Sequence, residues 1–270
     1  MSDFSQKVSL GRTGLRVSRI GIGSSYGVSE KACREAFDAG INYFFWGSAR
    51  TAGMCLAIRE IALTHREELV VVLQCYVRWP MLISRSVHQG LKSLKIDHAD
   101  VLLLGWYDEE PSQGVMDAAE ELRREGRFRY LGISGHQRPL FRHYIGDGRY
   151  DVLHLRYNAA HRGAEQDIFP HLPRDNSPGI VSFTNTRWGD LLRAENMPAG
   201  YSPPAAADCY RFVLSDPHVH VAICGPKNAE EIKSALTALD RGPMDQQELQ
   251  RMRLIGDHVH GISSIMSLLT

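Results

Sequence analysis

The sequence predicts an α/β fold, a (β/α)8 TIM barrel with a closed parallel sheet and an N-terminal β-hairpin. Eight short apolar runs alternate along the chain with longer amphipathic segments, and strands that alternate with helices form a parallel sheet. Eight such units most readily close into a barrel. The chain has 270 residues, of which 43% are hydrophobic, so it can bury one large core. No linker or shift in composition divides it, and residues 1–270 are expected to form a single barrel domain.

The hairpin is predicted at residues 8–17, where apolar and polar residues alternate around a glycine-bearing turn. The eight barrel strands are predicted at residues 19–23, 43–47, 69–75, 101–104, 130–134, 152–157, 180–184 and 219–224. Ser29 is predicted to cap the first helix, which Gly40 ends. Further helices are predicted at residues 84–94, 114–125, 205–214 and 244–270.

The charge balance excludes several classes of partner. The chain has 31 basic and 31 acidic residues, so no basic field attracts nucleic acid or an anionic membrane surface. No apolar run approaches the ~20 residues that span a bilayer. The polar N-terminus also lacks the apolar core of a secretory signal. We therefore expect no nucleic acid and no membrane as partner, and a cytoplasmic location.

The cysteines and histidines predict no metal site. The five cysteines are scattered and form no Cys-x-x-Cys pair, which argues against a disulfide framework, a zinc knuckle or an iron–sulfur cluster. His218 and His220 stand at the start of the last strand, at the bottom of the barrel, where residues serve stability. His258 and His260 lie in a predicted helix, where positions two apart face different ways.

Four short motifs carry a resemblance to a known family. They are residues 10–15 (Leu-Gly-Arg-Thr-Gly-Leu), 97–103 (Asp-His-Ala-Asp-Val-Leu-Leu), 126–134 (Gly-Arg-Phe-Arg-Tyr-Leu-Gly-Ile-Ser) and 157–158 (Tyr-Asn). In this order and at these separations, the chain resembles the aldo-keto reductases over nearly its whole length. The resemblance implies a barrel in which, in a standard member, NADPH reduces a carbonyl group. A tyrosine of the family protonates the carbonyl oxygen, a lysine and an aspartate lower the pKa of that tyrosine, and a histidine orients the substrate.

The four catalytic positions of the family hold other residues in this chain. Carried over onto this sequence, the aspartate position holds Trp46, the tyrosine position Thr51, the lysine position Tyr76 and the histidine position Gly105. Removing one member of a buried ion pair costs roughly 3–5 kcal/mol, whereas replacing both can be neutral, so the resemblance implies a rebuilt site. Standard NADPH-dependent carbonyl reduction is not expected, and Trp46 is expected to floor or plug the pocket.

The cofactor site that the resemblance implies is only partly retained. Ser134 keeps a contact to the carboxamide, and Phe183 stands where an aromatic ring stacks on the nicotinamide. Arg187 and Lys227 follow the last two strands, the usual phosphate region of barrels. Other positions are altered, namely Gly135, His154, Glu231, Ser234 and Ala235. No cofactor is therefore expected, and binding of NADP at an eroded site is the alternative.

Ligand-binding groups in such barrels lie just beyond the C-terminal ends of the strands. Candidates for catalysis there are Tyr76, His136, Arg50 and Tyr26, and candidates for substrate binding are Trp46, Trp106, Tyr107 and Arg156. Ser48 stands at the same level. The set is rich in aromatic rings and arginines, and arginine binds carboxylate or phosphate through its planar fork. We expect a small-molecule ligand that is anionic and partly aromatic or apolar.

Three functions follow from these residues. The main expectation is a cofactor-independent enzyme of lyase, isomerase, dehydratase or cyclase type, supported by the remodelled aromatic pocket. The first alternative is an NADPH-dependent oxidoreductase with Tyr76 or Tyr26 as the replacement general acid, supported by Ser134, Phe183 and Lys227. The second alternative is a catalytically inactive binding or scaffold protein, supported by the missing catalytic set.

Overall fold

The computed structural model describes residues 4–47 and 50–268 of the chain, with side chains up to residue 262. Ser48, one of the positions named above, lies outside these residues. The strands are β1 Val8–Ser9, β2 Arg16–Val17, β3 Ile20–Gly23, β4 Tyr43–Trp46, β5 Val70–Cys75, β6 Ala99–Leu104, β7 Phe128–Gly135, β8 Val152–Arg156, β9 Gly179–Phe183 and β10 Val221–Cys224.

The helices follow the strands in alternation. They are α1 Glu30–Asp38, α2 Ala52–His65, α3 Pro80–Leu94, α4 Gln113–Arg124, α5 Arg138–Asp147, α6 Ala164–Asp167, α7 Ala206–Leu214, α8 Ala229–Arg241 and α9 Gln246–Leu268. Short 3-10 turns occupy Gly11–Thr13, Arg66–Glu68, Phe169–His171, Asp190–Leu192 and Ala194–Asn196.

The predicted fold class is confirmed. Strands β3 to β10 form a closed parallel barrel, in which β10 pairs with both β9 and β3. Strands β1 and β2 form the antiparallel hairpin, with Val8 opposite Val17. The predicted cap of α1 is also present, because the Ser29 hydroxyl accepts a hydrogen bond of 3.2 Å from the Ala32 N–H.

Side chains of the barrel strands alternate between the interior and the surrounding helices. The interior cluster contains Tyr43, Val70, Val72, Val101, Leu103, Val152, Val181 and Val221, together with Leu10, Leu15 and Val17 of the hairpin segment. The other residues of the same strands pack against the helices, as Phe44, Val71, Leu102 and Ile180 do. The hairpin therefore covers the N-terminal end of the barrel and leaves the C-terminal end for ligands.

The sequence patterns do not predict α2, α5, α8 or the single turn α6. Helix α2 buries Met54, Cys55, Ala57, Ile58 and Ile61, so apolar residues occur on most of its surface and obscure the helical period. Helix α8 buries chiefly Ile232, Ala235 and Ala238. Two of these three residues are alanines, so the apolar periodicity of this helix is weak.

Two ion-pair networks join α9 to the rest of the fold. The Arg211 guanidinium, which is 4% exposed, donates to both carboxylate oxygens of Glu248 at 2.5 and 2.8 Å. Arg253 binds both oxygens of Glu165 at 2.8 and 2.9 Å, and the Tyr157 hydroxyl donates to the same carboxylate at 2.8 Å. The last helix is thus attached to α7 through Arg211 and to α6 through Glu165.

Gly256 of α9 packs closely against the loop that follows β8. A Cβ atom at this position would lie 2.0 Å from the Ala159 carbonyl oxygen, and backbone atoms cannot move aside cheaply. We expect Gly256→Ala to lower the free energy of unfolding by about 1–3 kcal/mol in urea titrations. Gly261→Ala is the matched control in the same helix, because no atom lies within 4 Å of its added Cβ. It should be neutral or stabilise the protein by up to about 1 kcal/mol, and equal losses from both substitutions would contradict this packing.

Among the described residues, none of the helices combines the length and the apolar character needed to cross a membrane.

Candidate functional site

A cavity of about 590 Å³ opens at the C-terminal end of the barrel. Ligand sites of barrel enzymes lie at this end, and the volume falls within the range of small-molecule sites. The cavity extends from the interior of the barrel, past the loop after β9, to the first turns of α8.

The floor of the cavity is formed by the last inward-facing residues of the strands, which are Gly23, Phe45, Gln74, Leu103, His154 and Ile223. His154 is the polar centre of this floor. Its Nε2 atom lies 2.8 Å from the Tyr43 hydroxyl, and both side chains are buried. Burial lowers the pKa of His154 to about 3, so its imidazole is neutral near pH 7.

The rim is aromatic. It includes Tyr76, Trp106, His136, Phe183 and Trp188. The His136 ring lies edge-on to Trp106 and to Phe183, with centroids 5.6 Å away in each case. Trp106 is 59% exposed, and the Ser134 hydroxyl accepts a hydrogen bond of 2.9 Å from the Trp106 N–H. The rim thus offers flat apolar surfaces to a ligand.

His136 is held by its backbone and leaves its ring available. Its N–H donates to the Asp108 carboxylate at 2.7 Å. Within the part of the chain that the structure describes, the buried Nδ1 atom has no hydrogen-bond partner. Burial, followed by the charge of Arg156, lowers the pKa of His136, while Asp108 opposes this shift. The imidazole is therefore a neutral group at pH 7.

Backbone strain is concentrated around the mouth of the cavity. Trp106, Thr184 and Trp188, which line it, have φ values of 60°, 55° and 54°, and Arg187, next to Trp188 in the chain, has a φ of 52°. This left-handed region is unfavourable for side chains other than glycine, and most unfavourable for a β-branched residue such as Thr184. Strained residues cluster at ligand sites, where the surrounding structure fixes them in place.

Several buried polar atoms of the cavity wall lack partners within the described residues. They are Gln74 Oε1, His136 Nδ1, Thr184 Oγ1 and Asn185 Oδ1. Unpartnered buried polar atoms are rare in folded proteins because each costs free energy. Their concentration around one cavity indicates a ligand that carries hydrogen-bonding groups.

The far end of the cavity lies beside α8. Lys227, Glu231 and Ser234 line it, and the Glu231 carboxylate accepts a hydrogen bond of 2.8 Å from the Lys227 N–H. Tyr26 lies on the same side, since a Cβ atom on Gly225 would be 2.8 Å from its ring. This end is polar, whereas the rim is aromatic.

Seven of the twelve predicted site residues line the cavity: Tyr26, Tyr76, His136, Trp106, Ser134, Phe183 and Lys227. The barrel brings them together from the loops or ends of six strands. Their roles in catalysis, substrate binding and cofactor binding stay predictions.

Trp46 is placed differently from the expectation. The residue packs with the outer core between the barrel and the helices, and its indole N–H donates to the Thr51 carbonyl oxygen at 3.3 Å. It lines a separate cavity of about 220 Å³ beside α3, together with Cys75, Ser86 and Gly90. The prediction that Trp46 floors or plugs the main pocket is therefore wrong, because its strand turns this residue outward.

Phe45 and Gln74 are the inward-facing residues that sequence analysis missed. Both line the cavity, one position before Trp46 and two positions before Tyr76. A Cβ atom on Gly105 would lie 2.5 Å from the Gln74 amide nitrogen and 3.0 Å from the Tyr76 ring, so Gly105 leaves room for both. A strict period of two, counted from the interior residues Tyr43 and Val72, would have found Phe45 and Gln74.

Four further predicted residues also lie outside the cavity wall. Tyr107 is buried beneath the Arg78 guanidinium, which lies 3.7 Å from its ring centroid. Arg50 is exposed and packs on the turn at Gly27. Arg187 is 11% exposed and pairs with Asp190 at 3.1 Å. Direct ligand contacts by Tyr107, Arg50 and Arg187 are not favoured by these positions. Arg156 does not line the cavity either, but it lies beside two residues that do, His136 and Phe183.

The His-x-His pairs have structural surroundings. His220 Nδ1 accepts a hydrogen bond of 3.0 Å from the Ile180 N–H, and the His218 ring stacks on Phe169 with centroids 5.1 Å apart. No group of three or more His, Cys, Asp or Glu that could hold a metal ion occurs within the described ranges.

Comparison with known proteins bears on the chemistry of this cavity. Residues 23–187 match the model of the aldo/keto reductase family. L-galactose dehydrogenase of Arabidopsis thaliana is 24% identical, over 94% of this chain and 95% of that protein. The NADH-specific methylglyoxal reductase of Escherichia coli is 26% identical, over 65% of each. The holo form of aldo-keto reductase AKR11C1 from Bacillus halodurans has a TM-score of 0.76 at 20% identity, over 93% of this chain and 96% of that chain, which is a likeness of fold.

These comparisons correct the main functional expectation. The family match and the named relatives, a dehydrogenase and a reductase, contradict a cofactor-independent lyase, isomerase, dehydratase or cyclase. They give no support to an inactive scaffold either. Of the three functions considered, they favour the oxidoreductase.

Proposed function

We propose that this chain, which belongs to the aldo/keto reductase family, is an oxidoreductase that binds a nicotinamide cofactor and interconverts a carbonyl group and an alcohol. The observation that carries the proposal is the cavity at the C-terminal end of the barrel, where an aromatic rim adjoins a wall of unpartnered polar atoms. The printed functions of two relatives belong to the same class of reaction.

A nicotinamide cofactor fits the residues of this wall. The Phe183 ring would support the nicotinamide, and Ser134 with the free acceptors Thr184 Oγ1 and Asn185 Oδ1 would hold its polar groups. Lys227 would hold a phosphate at the polar end of the cavity. When bound, such a cofactor supplies two electrons as hydride. The protein itself must bind and orient the carbonyl compound and supply a proton to its oxygen.

We assign the proton to the Tyr76 hydroxyl, because Thr51 at the tyrosine position of the family does not line the cavity. Tyr76 lies beside Gly105 and in the aromatic rim, after β5, whereas Lys227 follows β10, and β3 and β4 separate these two strands. Tyr26, the other candidate, lies against Gly225 at the end where the nucleotide would be. The aspartate, tyrosine, lysine and histidine of the family are thus replaced as a set, with a phenol from another strand as the acid.

The cofactor preference is proposed to be NADH. Glu231 lines the nucleotide end of the cavity, and a carboxylate accepts hydrogen bonds from ribose hydroxyls but repels a 2′-phosphate.

The five cysteines are all buried and free, which supports a reducing, cytoplasmic location.

Titration calorimetry with NADH and NADPH tests the proposal, followed by turnover of an aldehyde panel that includes methylglyoxal. We expect micromolar binding of NADH, weaker binding of NADPH, and loss of NADH absorbance in the presence of an aldehyde. If neither cofactor binds at millimolar concentration, the proposed function is wrong.

Glu231→Lys is expected to strengthen NADPH binding about tenfold, or about 1.4 kcal/mol, because it replaces repulsion of the 2′-phosphate with attraction. NADH, which lacks that phosphate, should change little. Glu230→Lys is the matched control, since this exposed neighbour makes the same change of charge but does not line the cavity. An equal effect of both substitutions would show a general charge effect and not a contact at residue 231.

A further inference from the structure

Arg156 stands between two residues of the aromatic rim. It is the last residue of β8, where Leu155 pairs with Gly135 of β7 and Arg156 pairs with Phe183 of β9. The next residue after Gly135 is His136, so His136 and Phe183 flank Arg156 on either side. Arg156 lies two positions after His154 on β8, so it is on the same face of the strand as His154, whose side chain faces the interior.

The Arg156 guanidinium has no hydrogen bond and no ion pair within the residues whose side chains are described. Its nitrogen atoms are not among the buried unpartnered atoms, so they are accessible to solvent. The neighbouring arginines differ in this respect. Arg138 donates to Asp167 at 2.6 Å, and Arg187 donates to Asp190 at 3.1 Å.

The surroundings of Arg156 favour an added negative charge. Burial, then the charges of Arg138 and Arg187, lower the pKa of Arg156, while Asp108 opposes them. Asp108 makes no ion pair of 4.0 Å or less with Arg156 in the described residues, and its Oδ1 atom already accepts from the N–H groups of His136 and Gln137 at 2.7 and 3.3 Å. A half-buried cation without a contacting counter-ion is costly, and an anionic ligand would relieve this cost.

We propose that Arg156 is a carboxylate-binding subsite at the rim of the cavity, and that the substrate is a carbonyl compound with a flat apolar body and one carboxylate. One free guanidinium matches the two oxygens of one carboxylate through paired N–H donors. Trp106 and Phe183 supply the apolar surfaces on which the body of such a molecule packs. The carbonyl part of this inference rests on the proposed function, whereas binding of the carboxylate does not.

Calorimetric titration without any cofactor tests the subsite, with benzoate as the probe and benzyl alcohol as its uncharged counterpart. Wild-type protein should bind benzoate more tightly than benzyl alcohol. Arg156→Gln should weaken benzoate binding at least about tenfold, the equivalent of one charge-assisted hydrogen bond, and leave benzyl alcohol unchanged. Arg156→Lys, which keeps the charge but loses the fork, should be intermediate. Arg174→Gln is the matched control, because it removes an exposed arginine from the loop that precedes β9 at the other end of the barrel.

The wild-type comparison does not depend on the folding of any variant. Equal affinities of wild-type protein for benzoate and benzyl alcohol would overturn the proposal. So would unchanged benzoate binding by Arg156→Gln, or tighter binding of inorganic phosphate than of benzoate at the same site. Because no cofactor is present, these outcomes are independent of whether the protein reduces carbonyl groups, which the aldehyde panel measures separately.

Discussion

Tyr76→Phe is expected to lower kcat for aldehyde reduction by about 10²–10⁴-fold, the usual contribution of a positioned general acid. Binding of NADH should be unchanged, since Tyr76 follows β5, whereas the residues that would hold the nucleotide follow β9 and β10, at least three strands away. Steady-state kinetics and cofactor titration of the same preparation measure the two quantities. A loss in kcat without a loss in cofactor affinity is the signature of a group that acts in the chemical step.

The geometry around Tyr76 supports this expectation. Its ring lies at the aromatic rim, next to Gly105, where the absence of a side chain leaves space beside the phenol. Of the other titratable groups in the cavity, His136 and His154 both have a lowered pKa because of burial. A neutral imidazole is a weak source of protons at pH 7, whereas a phenol keeps its O–H and can donate it.

Two further substitutions make the test decisive. Tyr201→Phe removes a similar, partly exposed hydroxyl outside the cavity and should leave kcat unchanged. Tyr26→Phe tests the other candidate acid, a second tyrosine of the cavity lining. If Tyr26→Phe abolishes reduction while Tyr76→Phe does not, the proton comes from Tyr26 and our assignment is wrong.

The second large effect is a loss of stability in mild acid. Burial lowers the pKa of His154 from 6.5 to about 3, and its side chain is 2% exposed. Between these two values the unfolded chain binds a proton that the native protein does not. The contribution of His154 is therefore fully present above pH 6.5 and is lost progressively as the pH falls towards 3, at up to about 1.4 kcal/mol per pH unit.

Two half-buried histidines add to this effect with the same sign. The pKa of His161 is lowered to about 3 and that of His220 to about 4, in both cases chiefly by burial of the ring. Native domains are stable by only about 5–15 kcal/mol, so the combined loss is large. Urea titrations at pH 7, 6 and 5 should show a free energy of unfolding that falls at each step.

His154→Gln isolates the share of one residue. Glutamine does not titrate, and its amide can still bond to the Tyr43 hydroxyl, so the slope of stability against pH should decrease by up to about 1.4 kcal/mol per unit. Tyr43→Phe is the control, since it removes the hydrogen bond of 2.8 Å but leaves the buried imidazole. It should lower stability at every pH without flattening the slope. An unchanged slope in His154→Gln would show that this histidine is not buried in its neutral form.

The order of strands and helices was available from the sequence. Runs such as residues 101–104 are apolar throughout because a parallel barrel strand is buried on both faces. The turn and cap residues, such as Ser29, mark where helices begin. The general location of the site also followed, because loops at the C-terminal end of every strand converge in a barrel. Tyr76, His136 and Phe183 were found in this way.

Because both faces of a barrel strand are buried and apolar, the sequence does not show which residues of the strand face the site. In the segment Tyr43–Trp46 all four side chains are aromatic, so no alternation of polar and apolar residues indicates the inner face. A shift of one residue exchanges the two faces of a strand, and only the register of β4 between β3 and β5 placed Phe45 inside and Trp46 outside. The tertiary structure also decides which arginines form ion pairs. Asp167 pairs with Arg138 and Asp190 pairs with Arg187, whereas Arg156 has no such partner among the described side chains. The sequence by itself determined the barrel and the end at which ligands bind. The tertiary structure alone decided which side chains reach them, because that depends on strand register and on contacts between distant segments.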